Sequence, residues 1–176
     1  MEKTNIFLVG PMGAGKSTIG KRLAKVLNKS FHDSDHYIES RTGVDIPTIF
    51  DIEGEDGFRN RETDAINELT KTSNIILATG GGAILRDENR QNLISRGIVI
   101  YLRTSVLQQL ARTRHDRNRP LLATDDPEKR LRDLMKVRSP LYEEVADIIV
   151  DTDNRHSNQV VKDIQKKIKD YLGNSI

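Results

Sequence analysis

The chain has 176 residues, which suits one domain, and its 28 basic and 26 acidic residues leave a net charge of only +2. This balance gives no reason to expect nucleic acid as a partner, and the absence of cysteine excludes disulfides, thiolate metal ligands and thiol nucleophiles. The first predicted strand begins within a few residues of the N-terminus and no apolar run approaches the ~18 residues of a membrane span, so we predict an untargeted protein that contacts no membrane. The absence of cysteine suits the reducing cytoplasm, where we expect the protein as a monomer.

The first motif is the P-loop pattern G-x-x-x-x-G-K-S at Gly10 to Ser17. It follows an apolar run at 5–9 and precedes apolar residues at helical spacing, which predicts a strand, a loop and a helix. Such a loop cradles nucleotide phosphates with its backbone N–H groups and the helix N-terminus. The predicted nucleotide-binding residues are Gly13, Ala14, Gly15, Lys16, Ser17 and Thr18. Lys16 would reach the β- and γ-phosphates and Ser17 would ligate Mg²⁺.

Two carboxylates, Asp33 and Asp35, end the next predicted strand, which covers about 29–35. Residues two apart in an extended segment share a face, and the carboxyl ends of parallel strands border the ligand site. One interpretation is that an aspartate merely caps the following helix. The other is that these carboxylates serve a Mg²⁺ ion and a substrate beside the P-loop.

A helical pattern from 37 to 70 carries four bulky apolar residues in a polar neighbourhood, Ile46, Ile49, Phe50 and Phe58. They fit a small satellite cluster under a surface helix pair. They also fit an apolar wall for a small ring-shaped substrate, with Arg59 as an anchor for a carboxylate or a phosphate.

The apolar run Ile75 to Ala78 predicts a strand buried on both faces. Thr79 and three consecutive glycines follow it, and we call Gly80–Gly82 the glycine turn. Three glycines in a row are entropically costly, so we expect a ligand to approach this backbone closely.

The second half of the chain predicts strands at 98–102 and 147–150 and helices at 105–112, 127–144 and 158–172, with a break near Pro140. Five strands alternating with helices indicate an α/β fold, a parallel sheet covered on both faces. An arginine-rich run spans 112–119. We interpret Arg114 and Arg117 as part of a solvated loop, and Arg119 as a residue that a mobile loop brings over the phosphates. Arg138 alone would be a surface salt-bridging residue.

These motifs resemble shikimate kinases in order and spacing over nearly the whole chain. The matching segments are the P-loop, Asp33-Ser34-Asp35, Gly57-Phe58-Arg59-x-x-Glu62, Gly80-Gly81-Gly82, Arg119-Pro120-Leu121-Leu122 and Arg138-x-Pro140-Leu141-Tyr142. The resemblance implies a three-layer α/β/α fold of the P-loop, nucleoside-monophosphate-kinase-like type, with a five-stranded parallel sheet in the order 2-3-1-4-5. It also implies that 1–176 is a single kinase domain, with a substrate-binding insertion at about 33–70 and a lid at about 112–125.

The implied reaction is transfer of the γ-phosphate of ATP to the 3-hydroxyl of shikimate, on the chorismate route to aromatic amino acids. The resemblance implies that Asp35 holds the shikimate hydroxyls and accepts the proton, and that Arg59, Arg138 and the glycine turn also bind shikimate. Lys16 and Arg119 would bind ATP and complete the catalytic group. Asp33, through water, and Ser17 would hold Mg²⁺. Arg112 would lie against the adenine. Arg155 would also bind ATP, from the loop 153–156, where the family has no tight motif.

Two other functions fit parts of the pattern. A gluconate or nucleotide kinase would share the P-loop, although the paired arginines and Asp35 suit a polyol carrying a carboxylate better. A nucleotide switch without acceptor chemistry would need no acceptor-site aspartate.

Overall fold

The structure is a computed structural model and describes residues 5–116 and 119–173. The strands are β1 Ile6–Val9, β2 Ser30–Asp33, β3 Ile75–Ala78, β4 Ile98–Arg103 and β5 Ile148–Asp151. The α-helices are α1 Lys16–Leu27, α2 Ser34–Thr42, α3 Ile46–Leu69, α4 Asp87–Arg96, α5 Val106–Thr113, α6 Pro127–Val145 and α7 Ser157–Gly173. Two short 3-10 helices lie at Ala83–Leu85 and Pro120–Leu122.

The five strands form one parallel sheet in the order β2-β3-β1-β4-β5, as expected. In the central strand, Ile6 aligns with Ile76 of β3 on one side and with Ile98 of β4 on the other. All the carboxyl ends therefore meet at one edge, where the P-loop, Asp33 and the glycine turn leave the sheet.

Alternate residues of the strands divide the core into two layers, as expected for a sheet covered on both faces. Ile6 and Leu8 of β1 pack with α1 and α7, whereas Phe7 and Val9 pack with side chains of α3, α4 and α6. The predicted three-layer α/β/α arrangement is confirmed. Within the described ranges, no helix is long and apolar enough to cross a membrane.

The predicted strand through Asp35 is wrong at its end. β2 ends at Asp33, whose carboxylate accepts hydrogen bonds from the backbone N–H groups of Asp35 and His36 and so caps α2. Asp35 belongs to the first turn of that helix. The two carboxylates reach the same site through a strand end and a helix start, not through strand alternation.

The predicted break at Pro140 is also wrong, because α6 continues through this residue to Val145. The helix buries Arg138, Tyr142 and Val145 on both sides of the proline. We attribute the continuity to this packing, which offsets the lost backbone hydrogen bond. α3, in contrast, is kinked at Gly54, where φ is 70° and ψ is −178°. Only glycine adopts this conformation at little cost.

Candidate active site

The P-loop curls through three glycines with positive φ, Gly10 at 147°, Gly13 at 78° and Gly15 at 88°. The Nζ of Lys16 donates to the carbonyl oxygens of Gly10, at 2.7 Å, and Pro11, at 2.8 Å. Burial, followed by the charge of nearby Arg119, lowers the pKa of Lys16 to about 7. An incoming polyphosphate would restore the favoured cationic form.

A cavity of about 380 Å³ opens above the loop, and we call it the donor cavity. Its lining includes Gly13, Gly15, Lys16, Ser17, Thr18, Asp33, Asp35, Gly80 and Arg119. Of the predicted nucleotide-binding residues, Ala14 lies instead in a neighbouring hollow behind the loop. The other five predicted residues of the loop therefore border one space.

The oxygen atoms expected around a metal ion lie together. The Ser17 hydroxyl donates to Oδ2 of Asp33 at 2.5 Å, while Oδ1 of the same carboxylate caps α2. Capping and ligation are therefore compatible, since each uses a different oxygen. No group of three or more His, Cys, Asp or Glu side chains in the described part of the chain could hold a metal by itself. The hydroxyl and carboxylate fit a Mg²⁺ ion whose remaining ligands are phosphate oxygens and water.

Asp35 lies where the donor cavity meets a second cavity, the acceptor cavity. Its Oδ1 is buried and has no hydrogen-bond partner among the described residues. Burial, followed by the charges of Glu62 and Asp33, raises the pKa of Asp35 to about 6, against the opposing effect of Arg119 and Lys16. An unsatisfied carboxylate oxygen with this pKa is suited to accept a proton from a substrate hydroxyl.

The acceptor cavity is lined by Met12, Asp35, Ile46, Phe50, Phe58, Arg59, Glu62, Gly80, Gly81, Gly82, Arg119, Pro120, Leu121 and Arg138. Phe50 and Phe58 lie with ring centroids 4.9 Å apart. With Ile46 they form a satellite cluster and at the same time one wall of the cavity. The satellite cluster is confirmed, and Ile49 belongs to it but not to the cavity lining. That the cavity wall contacts a ring-shaped substrate stays a prediction.

Arg59 is only 7% exposed and forms an ion pair with Glu62, which is 0% exposed, at 2.7 Å. Burial raises the pKa of Glu62, and its Oε2 has no hydrogen-bond partner among the described residues. The sequence alone assigns no role in the site to Glu62. The available signal was its position three residues after Arg59 in a helix, a spacing that places the two side chains on one face.

Arg138 is 4% exposed, and no carboxylate in the described ranges forms an ion pair with it. Burial lowers the pKa of its guanidinium, but the group remains cationic near neutral pH. The interpretation of Arg138 as a surface salt-bridging residue is wrong, because α6 turns it inward. A buried cation of this kind calls for an anionic ligand.

Side chains account for the glycine turn, and the close approach of a ligand stays a prediction. A Cβ on Gly82 would lie 2.4 Å from Nη2 of Arg59, and one on Gly80 would lie 2.7 Å from Oε2 of Glu62. None of the three glycines has a positive φ. The turn therefore uses glycine for space, and the space admits the charged side chains of the acceptor cavity.

Arg119 lines both cavities and donates from Nε to Oδ2 of Asp116 at 3.0 Å. It immediately precedes the 3-10 helix Pro120–Leu122, whose first two residues also line the acceptor cavity. Arg114 is exposed, as expected for a solvated loop, and Arg117 lies outside the described residues.

Arg112 and Arg155 border a hollow of about 230 Å³ behind the P-loop. Arg112 donates to the carbonyl oxygens of Gly13, at 2.8 Å, and Thr152, at 3.3 Å. Arg155 forms an ion pair with Asp163 at 3.1 Å. The two arginines predicted near the base are thus brought to the same hollow.

A P-loop cavity that joins a second, cationic cavity on this sheet defines a small-molecule kinase of the P-loop class. The deoxyadenosine kinase of M. mycoides shares the fold, with a TM-score of 0.61 at 19% identity over 94% of this chain and 98% of that one.

Among small-molecule kinases of the P-loop class, this chain is specifically similar to shikimate kinases. The family model described as shikimate kinase matches residues 12–169. A shikimate kinase of Alteromonas mediterranea is 59% identical over 95% of this chain and 98% of the relative. The structure titled shikimate kinase from Acinetobacter baumannii in complex with shikimate has a TM-score of 0.94 at 52% identity, and covers 98% of this chain and 95% of that one. The chain belongs to the shikimate kinase family.

Proposed function

We propose that this chain transfers the γ-phosphate of ATP to the 3-hydroxyl of shikimate, giving shikimate 3-phosphate and ADP. The observation that carries the proposal is the junction of the two cavities at Asp35 and Arg119. On one side lies the P-loop lysine, and on the other lie two buried arginines, Arg59 and Arg138. This arrangement suits a phosphate donor facing an acceptor that carries both a hydroxyl and a carboxylate.

The acceptor would be held by its carboxylate. Arg138 lacks an ion pair within the described ranges and can face an anion directly. Arg59 is held by Glu62 at 2.7 Å and by the half-exposed Glu55 at 3.3 Å, and a substrate carboxylate would take the place of Glu55. The wall of Phe50 and Phe58 would contact the ring of shikimate. Ring and carboxylate contacts together would place a hydroxyl at Asp35.

Asp35 would accept the proton of the attacking hydroxyl late in the transfer, since phosphoryl transfer depends more on position than on a strong base. Lys16 and Arg119 would balance the charge that develops on the transferring group. Ser17 and Asp33, the latter through water, would hold Mg²⁺, which neutralises phosphate charge when bound.

The remaining assignments follow from this proposal. Gly13, Ala14, Gly15 and Thr18 would complete the phosphate loop, and Arg112 and Arg155 would border the adenine. We propose that 1–176 acts as one kinase domain, with the substrate-binding insertion at about 33–70 and the lid at about 112–125. A monomeric state, a cytoplasmic location and the absence of a nucleic-acid or membrane partner stay predictions.

A coupled ATP-consumption assay against shikimate, gluconate and nucleoside monophosphates tests the proposal. We expect ADP release with shikimate alone. Turnover with gluconate or a nucleotide in its place would assign a different kinase. No turnover with any acceptor, together with nucleotide-dependent partner binding, would assign a switch.

A further inference from the structure

Two buried hydroxyl groups hold the backbone of the glycine turn. The N–H of Gly80 donates to the Oγ of Ser34 at 3.0 Å, and the carbonyl oxygen of Gly81 accepts from the hydroxyl of Tyr142 at 2.5 Å. Ser34 and Tyr142 are both 0% exposed, so water cannot easily replace either contact. The turn is therefore fixed from α2 on one side and from α6 on the other.

Tyr142 also contacts the buried cation of the acceptor cavity. The guanidinium of Arg138 lies close enough to interact electrostatically with this hydroxyl, which donates to the carbonyl oxygen of Gly81. Burial raises the pKa of Tyr142, so this hydroxyl keeps the proton that it donates. Nη1 of Arg138 lies 3.3 Å from the position that a Cβ on Gly81 would occupy. One oxygen thus links the turn to the arginine.

Neither hydroxyl side chain belongs to the described lining of the acceptor cavity, whereas Gly80, Gly81 and Arg138 do. Any effect of the two hydroxyls on a bound acceptor must pass through these lining groups. A buried donor or acceptor that loses its partner is costly, so the turn is expected to shift when either hydroxyl is removed.

We propose that Ser34 and Tyr142 are positioning residues for the acceptor, and that they act by fixing the glycine turn and, through Tyr142, the guanidinium of Arg138. The proposal rests on the proposed function, because it takes a carboxylate-bearing acceptor as the ligand of this cavity. It concerns acceptor binding alone. Among the described residues, no hydrogen bond joins the P-loop to the hydroxyl of Ser34 or Tyr142.

The test uses Ser34→Ala and Tyr142→Phe, each of which removes one oxygen. The ring of Tyr142 stacks on Tyr101 with centroids 5.0 Å apart, and phenylalanine retains this packing. Tyr101→Phe is the matched control, because its hydroxyl is also buried but has no hydrogen-bond partner among the described residues. Thermal unfolding of each variant establishes that it is folded.

Calorimetric titration with shikimate and, separately, with MgADP gives the readout. We expect the dissociation constant of shikimate to rise about tenfold in each variant, the loss typical of one net hydrogen bond, while that of MgADP stays within about twofold. Tyr101→Phe should leave both constants unchanged. In an Arg138→Lys background, Tyr142→Phe should cost much less than tenfold, because the guanidinium beside the Tyr142 hydroxyl is already replaced.

Unchanged shikimate affinity in both variants would overturn the proposal, as would an equal loss of affinity for both ligands. Failure of both variants to fold would make the hydroxyls purely structural and would also overturn it. Wild-type protein that binds shikimate without turning it over would contradict the proposed function and leave this inference standing.

Discussion

At the scale of single residues, the acceptor cavity is defined by charges that the described part of the chain leaves incompletely paired. Arg138 is buried without an ion pair there, Oδ1 of Asp35 has no hydrogen-bond partner, and neither has Oε2 of Glu62. Burying such groups costs stability in the ligand-free protein. We infer that this cost is offset when a substrate supplies a carboxylate for the arginine and a hydroxyl for Asp35.

Replacing Arg138 by alanine should raise the KM for shikimate roughly 10- to 100-fold, since a charge-assisted hydrogen bond typically contributes ~1.5–3 kcal/mol. The KM for ATP should change little. Arg132→Ala is the matched control, because Arg132 lies on the same helix but is exposed and paired with Glu128. Steady-state kinetics with each substrate varied in turn would check this. An unchanged KM for shikimate would remove Arg138 from the acceptor site.

Arg119→Ala should mainly lower kcat. An arginine brought to a transferring phosphoryl group typically contributes 10³- to 10⁵-fold in rate, so we expect a loss of about 10³-fold or more. Arg114→Ala is the control, since Arg114 is an exposed arginine of the same region. Turnover by Arg119→Ala at the wild-type rate would end the assignment of a catalytic role to this residue.

The pKa of Asp35, raised to about 6, predicts an acidic limb in the pH profile. Below this value the carboxylate is protonated and cannot accept the proton of the acceptor, so kcat/KM for shikimate should fall about tenfold per pH unit below pH 6. The profile should be measured at saturating MgATP, so that phosphate binding holds Lys16 in its cationic form. A rate that stays constant from pH 7.5 to pH 5 would show that Asp35 does not act as the base.

At the scale of elements, the sequence predicts the position of the glycine turn, but not which side chains require glycine there. Three glycines after a buried strand indicated close approach to the backbone, and the structure shows Arg59, Glu62 and Asp35 filling that space. Which side chains approach depends on contacts between distant elements, which local spacing cannot give. The same limit explains why Glu62 received no role.

Gly82→Ala tests the use of glycine for space. The φ of Gly82 is −94°, which alanine adopts without strain, but the new Cβ would lie 2.4 Å from Nη2 of Arg59. Arg59 must then move, and the KM for shikimate should rise about tenfold or more with little change in the KM for ATP. Gly173→Ala, where no atom lies within 4 Å of the new Cβ, is the control. Wild-type kinetics in Gly82→Ala would show that the turn is not tightly packed against Arg59.

At two places, patterns in the local sequence predict the helices incorrectly. The sequence predicts a break in the helix near Pro140, yet α6 continues through it and buries Arg138 and Tyr142 on either side. The sequence predicts Asp35 in a strand, yet Asp33, two residues earlier, already ends β2 and caps α2. In both cases the polar and charged groups still reach the predicted site, because the neighbouring elements bring them there. The sheet itself was predictable, since its strands are short, apolar and separated by helical patterns.

At the scale of the whole molecule, the parallel sheet places a triphosphate site and an acceptor site at one edge. The P-loop follows β1, Asp33 ends β2 and the glycine turn follows β3, and these three strands are neighbours in the order β2-β3-β1. The P-loop alone indicates only a bound nucleotide. The arginines of α3 and α6, brought to the same edge, indicate the acceptor.

The central claim is that this site transfers a phosphate from ATP to shikimate. The most direct measurement follows ADP release from MgATP with and without shikimate and identifies the phosphorylated product by ³¹P NMR. We predict one shikimate 3-phosphate per ADP, and only slow ATP hydrolysis when shikimate is omitted, because the acceptor completes the site. Rapid ADP release that does not depend on shikimate, or phosphate on another hydroxyl, would contradict the account.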